Sequence, residues 1–157
     1  METGQCQPLE FARGMLDELK LAASLTPEGF LAAFRSWDKG PFPGAERILE
    51  QLRPQFTLAC LSNNNMLHWS NPSLQSLVKH FHHCLVSFEI GLMKPDRAAF
   101  DCAVRVIGLP PGEILFLDDN IECVQAAQQV GLPAFQALGL SGVRQVLAQA
   151  GIKVERA

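Results

Sequence analysis

Hydrophobic and polar residues follow two different patterns along the chain, and the pattern changes near residue 56. In the first part, apolar residues recur at roughly helical spacing. The first group of them is Leu9, Met15, Leu16, Leu19 and Leu21. Thr26 and Pro27 are typical of a helix start, because a hydroxyl caps the first turn and proline is tolerated there. A further helix is predicted over 45–52, after a segment rich in glycine and proline.

From residue 56 onward, short apolar runs alternate with segments that are long enough for a helix. The runs cover 56–61, 84–88, 114–117 and 133–135. Helices are predicted over 96–107, over 120–130 and finally over about 141–150, with Ser141 as the cap of the last one. Nearly continuous apolar strands that alternate with helices are typical of a parallel sheet covered by helices on both faces. The sequence therefore predicts an α/β protein with a helical segment in front.

Composition and charge exclude several classes of function. The chain has 157 residues, 48% of them hydrophobic and 18% charged, which suits one folded domain with its own core. A net charge of −3 argues against nucleic acid and against an anionic membrane as partners. No apolar run approaches the ~20 residues of a membrane span, and the charged N-terminal segment has no signal-peptide core. Five cysteines without a C-x-x-C pair argue against a disulfide framework, so we expect a cytoplasmic protein.

Polar residues follow three of the predicted strands at the point where each strand ends. Ser62 and Asn63 follow the first strand, and Lys94 lies after the second. Asp118 and Asp119 follow the third. Because ligands of open parallel sheets bind at the carboxyl ends of the strands, we expect these side chains to lie close together. The hydroxyl and the lysine suit a phosphate, and two adjacent carboxylates favour a neutralising cation such as Mg²⁺.

Three motifs in this order resemble those of the haloacid-dehalogenase-like (HAD) hydrolases. They are LSNNN at 61–65, GLMKP at 91–95 and FLDDN at 116–120. The similarity is greatest to the bacterial sugar-phosphate phosphatase branch, in which a helical cap precedes the serine motif. The resemblance implies a partial helical cap over 1–43, followed over 44–157 by a Rossmann-like α/β core that lacks its first strand. It also implies a Mg²⁺-dependent phosphomonoester phosphatase that acts on a small phosphorylated metabolite.

The same resemblance assigns roles to the polar residues. Ser62 would bind the transferring phosphoryl group, and Lys94 would hold its charge. Asp118 would ligate Mg²⁺ directly, and Asp119 would assist directly or through a water molecule. Asn63 would contact the phosphate through its backbone or its side chain. Catalysis is therefore assigned to Ser62, Lys94, Asp118 and Asp119, and substrate binding to Ser62, Asn63 and Lys94.

The family's first motif, D-x-D, is absent from the chain. In the family its first Asp is the nucleophile and its second is the general acid–base. Asp17 lies in a predicted helix and Asp38 follows no apolar strand, so neither replaces it. We therefore expect no phosphatase activity, and weak Mg²⁺ binding because one anionic ligand is gone. The alternatives are a non-catalytic HAD-like protein that binds a phosphate ligand or a partner, or a truncated fragment.

The missing motif also removes a strand. In the family this strand lies between the strands that end in Ser62 and Asp118, so its loss leaves two inner edges without a partner. Either the two flanking strands pair with each other, or another chain fills the space, or the sequence is truncated. We also expect self-association through these inner edges.

Histidines near the strands allow two further interpretations. His80, His82, His83 and Cys84 resemble a metal cluster, but alternate positions at the start of a strand point to opposite faces. A partly exposed strand start is therefore the favoured interpretation. His68 either lines the mouth of the phosphate site or packs against the helical segment.

Overall fold

The structure is a computed structural model that describes residues 1–155, in which helices alternate with short parallel strands. The first part is helical, with α1 (Pro8–Glu18), α2 (Pro27–Arg35) and α3 (Ala45–Leu52). The strands are β1 (Ala59–Ser62), β2 (His83–Val86), β3 (Phe116–Asp118) and β4 (Ala134–Gln136). The helices among and after them are α4 (Met66–Trp69), α5 (Pro72–Val78), α6 (Ser87–Ile90), α7 (Arg97–Ile107), α8 (Ile121–Gln129) and α9 (Gly139–Gln149), with a 3₁₀ turn at Pro111–Glu113. The α/β class is confirmed.

The predicted helices are found, with differences at their ends. The Thr26 hydroxyl accepts a hydrogen bond from the Gly29 N–H and caps α2 as expected. The apolar stripe of α1 stops earlier than predicted, because the helix ends at Glu18 and Leu19 and Leu21 are exposed. The prediction that Ser141 caps the last helix is wrong, because α9 already begins at Gly139.

Four strands form two separate parallel pairs, β1 with β2 and β3 with β4. Ser62 lies opposite Val86 in the first pair, and Asp118 lies opposite Gln136 in the second. Within residues 1–155 no ladder joins β1 to β3, so the two flanking strands do not pair with each other. The inner edges predicted to lack a partner are therefore present in the structure.

The two strand pairs share one apolar core although no backbone ladder connects them. Leu61 of β1 and Phe116 of β3 both pack against a cluster built mainly by α7 and α8. The buried members of that cluster are Phe100, Cys123, Val124, Ala127, Leu132 and Ala134. Side-chain burial on α7 and α8 therefore holds β1 and β3 in one body.

The helical segment at the start has a core of its own. Phe30 and Leu31 of α2 pack with Leu16 of α1, and Leu67 of α4 joins the same cluster. Helix α3 instead packs against α9, through Ile48, Leu52 and Leu147. The boundary between 43 and 44 stays a prediction, and it falls between helices that contribute to different clusters. Among residues 1–155 no helix combines the length and the apolar character that crossing a membrane requires.

The inner edges lead to a prediction about the state of the chain in solution. Strand edges with free N–H and C=O groups are templates for pairing with another chain. We expect the weight-average sedimentation coefficient to rise with protein concentration, because inner edges of different molecules pair. Sedimentation velocity over a hundredfold range of loading concentration measures this. A single monomeric species across the whole range would contradict the prediction.

Candidate functional site

Lys94 and Asp118 meet at the carboxyl ends of the strands. The Lys94 Nζ donates to Asp118 Oδ2 over 2.6 Å, and the two side chains are only 12% and 8% exposed. Asp118 is the last residue of β3, while Lys94 lies between α6 and α7. Gly91 ends α6 with φ of 70°, a left-handed conformation that glycine adopts without a steric penalty, and so turns the chain toward Lys94. Two segments that are distant in the sequence therefore form an ion pair at the carboxyl ends of the strands.

Asn63 fixes the backbone of Lys94. Its Nδ2 donates to the Lys94 carbonyl over 2.7 Å, and its Oδ1 accepts from the Lys94 N–H over 2.9 Å. Oδ1 and one of the two Nδ2 hydrogens are thereby engaged, so a phosphate contact from Asn63 would come from its backbone or from the second Nδ2 hydrogen. The pair of hydrogen bonds links the end of β1 to the Lys94 loop and makes Asn63 a positioning residue.

Ser62 and Asp119 present groups that the protein itself does not use. Within residues 1–155 the Ser62 hydroxyl has no hydrogen-bond partner, and it is not among the buried unpaired polar atoms, so solvent reaches it. Asp119 is exposed, and toward the other described residues it uses only its backbone carbonyl, which accepts from Gln136 Nε2 over 2.8 Å. By contrast, both carboxylate oxygens of Asp118 accept hydrogen bonds, from Lys94 Nζ and from the Asn120 N–H. A hydroxyl and a carboxylate are thus available to a ligand beside the ion pair.

Two residues that the sequence did not single out shape the loop after β1. Ser87 is 1% exposed, and its hydroxyl donates to the Asn64 carbonyl and accepts from the Asn64 N–H, both over 3.0 Å. Asn65 is also buried, and its Oδ1 caps α4 by accepting from the N–H groups of Leu67 and His68. A hydroxyl at the end of an otherwise apolar run is the feature that points to Ser87 in the sequence.

His68 packs against the helical segment. Its ring stacks on Phe34 of α2, with 4.5 Å between ring centroids. Its Nε2 lies 2.8 Å from the Phe34 carbonyl oxygen, at hydrogen-bond distance. This contact selects the packing interpretation over a position at the mouth of the phosphate site.

The thiols of two cysteines near the site have raised pKa values. Burial raises the pKa of the Cys60 thiol to about 11, with a smaller contribution from Cys84. Burial also raises the pKa of Cys123, and the charge of Asp118 adds to that effect. Because the thiolate is the reactive form, both groups stay protonated and unreactive at neutral pH.

Comparison with known proteins defines the class. The model of the haloacid dehalogenase-like hydrolase family matches residues 9–131. The chain therefore belongs to this family of hydrolases, and the resemblance carried by the three motifs is confirmed at that level.

Two individual relatives are phosphatases that share limited sequence identity with this chain. A phosphoserine phosphatase of Thermus thermophilus is 29% identical over 147 residues, which cover 91% of this chain and 55% of the relative. An enolase-phosphatase E1 of Aquifex aeolicus is 40% identical over 45 residues, which cover 29% of this chain and 20% of the relative. The chain thus spans about half the length of the first relative and a fifth of the second.

Solved structures of the family share the fold. A predicted HAD-like hydrolase of Porphyromonas gingivalis superposes with a TM-score of 0.80 at 21% identity, over 98% of this chain and 77% of that one. A HAD family enzyme of Bacteroides thetaiotaomicron was solved with magnesium and inorganic phosphate. It superposes with a TM-score of 0.74 at 23% identity, over 88% of this chain and 72% of that one. At these identities the similarity establishes the Rossmann-like fold.

Proposed function

We propose that the chain carries the phosphate-binding part of a Mg²⁺-dependent phosphomonoester phosphatase for a small phosphorylated metabolite, and that it does not turn substrate over by itself. The observation that carries the proposal is the shielded Lys94–Asp118 ion pair, because the Lys94 backbone is bonded to Asn63, the residue next to Ser62. The names of the phosphatase relatives and the phosphate in the Bacteroides structure support the same ligand chemistry.

A phosphate at this edge would take donors from the end of β1 and from the loop between α6 and α7. The Ser62 hydroxyl is free to donate to a phosphate oxygen, and the Lys94 ammonium supplies a positive charge that is largely shielded from water. Such charge-assisted hydrogen bonds are about twice as strong as neutral ones. Asn63 would keep the ammonium in place through its two bonds to the Lys94 backbone.

The donor set also fits Mg²⁺, which prefers oxygen ligands and often binds through one or two carboxylates and several waters. Asp118 and Asp119 would hold the ion, and the ion would supply further positive charge to the phosphate oxygens. Lys94 already occupies one oxygen of Asp118, so Mg²⁺ competes with an ammonium group for it. We therefore expect weak Mg²⁺ binding.

The two aspartates that precede the LSNNN motif, Asp17 and Asp38, serve other parts of the fold. Asp17 belongs to α1. Asp38 accepts hydrogen bonds from the Gly40 N–H and from Asn71 Nδ2, so its carboxylate is used to tie the helical segment to α5. The missing D-x-D motif equally suits the alternative function, a non-catalytic HAD-like protein that binds a phosphate ligand or a partner. The phosphatase and the phosphate-binding form of the alternative both predict phosphate binding at Ser62 and Lys94, whereas a protein that binds only a partner does not.

Calorimetric titration of inorganic phosphate, in the presence of Mg²⁺, tests the proposal. We expect Ser62→Ala to weaken phosphate binding about tenfold, since one hydrogen bond to a charged ligand is lost. Ser76→Ala is the matched control, because Ser76 lies in α5 and its hydroxyl bonds only to the local Ser73 carbonyl. Equal affinities of the wild type and Ser62→Ala would contradict the proposed site.

A further inference from the structure

A second group of potential ligands lies at the opposite end of the β1–β2 pair. Glu46 and Glu50 are one helical turn apart on α3, and His80 lies in the segment between α5 and β2. One ligand atom from each of the three lies within 4.8 Å of the other two. We propose that Glu46, Glu50 and His80 form a binding site for a divalent transition-metal ion such as Zn²⁺.

The donor types favour a transition metal over Mg²⁺. Imidazole nitrogen together with carboxylate oxygen is a common ligand set for Zn²⁺, and three protein ligands leave a fourth position for water. This set is distinct from the all-oxygen set of Asp118 and Asp119. It also differs from the cluster suggested by the sequence around His80, because His82 points elsewhere and its Nδ1 accepts from the Leu58 N–H.

His80 is held in place before any ion binds. The residue is 9% exposed, and its Nε2 lies 2.9 Å from Glu46 Oε1. Its backbone carbonyl accepts from Arg53 Nε, which follows α3 directly. The backbone bond fixes the position of His80, and the bond to Glu46 fixes the direction of its ring. The imidazole and Glu46 therefore need little rearrangement to share an ion.

Lys79 marks the position as one that attracts a cation. Its Nζ lies 2.9 Å from Glu46 Oε1, yet its side chain is 61% exposed and free to move into solvent. Hydrogen bonds from His80 and Lys79 hold the pKa of Glu46 below its usual value, so this carboxylate is ionised at neutral pH. A metal ion would replace the ammonium, and Lys79 therefore competes with the ion.

The position of Glu50 distinguishes a metal site from a simple network of ion pairs. Among the described residues its carboxylate makes no hydrogen bond or ion pair, and yet it faces the Glu46–His80 pair. A structural network of His80, Glu46 and Lys79 has no need of Glu50. A metal site needs it as the third ligand.

Zinc titration of the metal-free chain, followed by calorimetry, tests the proposal. Because the five cysteines are free and thiolates are also zinc ligands, variants are compared with the wild type in the same buffer. We expect Glu50→Gln to weaken the site about 10- to 100-fold, as losing a ligand costs at least as much as losing a supporting contact. Glu113→Gln, in the 3₁₀ turn, is the matched control and should bind as the wild type does.

Lys79→Met should change the Zn²⁺ affinity in the opposite direction from Glu50→Gln, and it is the more discriminating test. Removing the competing ammonium should strengthen Zn²⁺ binding severalfold, whereas a purely structural ion-pair network predicts no gain. Asp118→Asn should leave Zn²⁺ binding unchanged, which separates this site from the proposed phosphate site. The proposal is overturned if Glu50→Gln binds as tightly as the wild type, or if Lys79→Met brings no gain. Both variants change exposed groups and should fold, which circular dichroism checks.

Discussion

The purified chain is expected to hydrolyse p-nitrophenyl phosphate no faster than buffer alone, with or without Mg²⁺. The reason is that no D-x-D motif is present, and neither Asp17, Asp38 nor the protonated Cys60 offers a nucleophile at the carboxyl edge. Enzymes accelerate such reactions by at least about 10⁶-fold, so the difference between activity and none is easily measured. Release of p-nitrophenol, followed by absorbance, is the assay.

An inactive variant provides the control for contaminating phosphatases. Asp118→Asn removes the carboxylate assigned to Mg²⁺ and should give the same background rate as the wild type. Turnover by the wild type that disappears in Asp118→Asn would contradict the expectation, because it would show that this chain supplies a nucleophile of its own. Phosphate binding, measured on the same preparation, establishes that an inactive sample is folded.

Replacing Lys94 by Met should lower the free energy of unfolding by about 3 kcal/mol, because removing one partner leaves the other charge uncompensated in a poorly solvated position. Asp118 is 8% exposed in the pair, so water replaces the ammonium only in part. The cation also lies 5.7 Å from the centre of the Phe116 ring, a contact that methionine keeps without its charge. Urea denaturation measures the change.

Arg97→Met is the matched control for an exposed ion pair. Arg97 Nε lies 3.2 Å from Asp101 Oδ2 on the same helix, with the side chains 73% and 47% exposed. Such pairs contribute about 0.5 kcal/mol or less. The double variant Lys94→Met with Asp118→Asn should lose less stability than the sum of the two single variants, since both charges are then gone. If Lys94→Met and Arg97→Met lowered the free energy of unfolding equally, the claim that the Lys94–Asp118 pair is shielded from water would be refuted.

Much of the fold follows from local patterns. The helix predicted over 45–52 has those bounds in the structure, because Gly44 turns the chain with φ of 88° and the apolar face of α3 is continuous. The run 84–88 ends as a strand at Val86, however, because Ser87 turns inward to bond with Asn64 and starts α6. Helices α4 and α5 were not predicted, since both are short and depend on asparagine caps, Asn65 and Asn71.

The candidate site could be located from the sequence, but its internal contacts could not. Strand order predicts that Lys94 and Asp118 lie close together, and the structure shows their ion pair; the place of Ser62 in the same site stays a prediction. The bond between Asn63 and Lys94 spans 31 residues and leaves no local pattern. The same holds for His80 and Glu46, which are 34 residues apart. Such contacts depend on tertiary packing.

Phosphate binding at the carboxyl edge can be followed residue by residue in NMR spectra, by titrating the ¹⁵N-labelled chain with inorganic phosphate. We expect saturable shifts of the backbone amides of Ser62, Asn63 and Lys94, in a chain that hydrolyses no phosphomonoester. Shifts confined to the groove beside α9, where Arg144 and Lys153 offer positive charge, would contradict it. So would spectra that phosphate leaves unchanged.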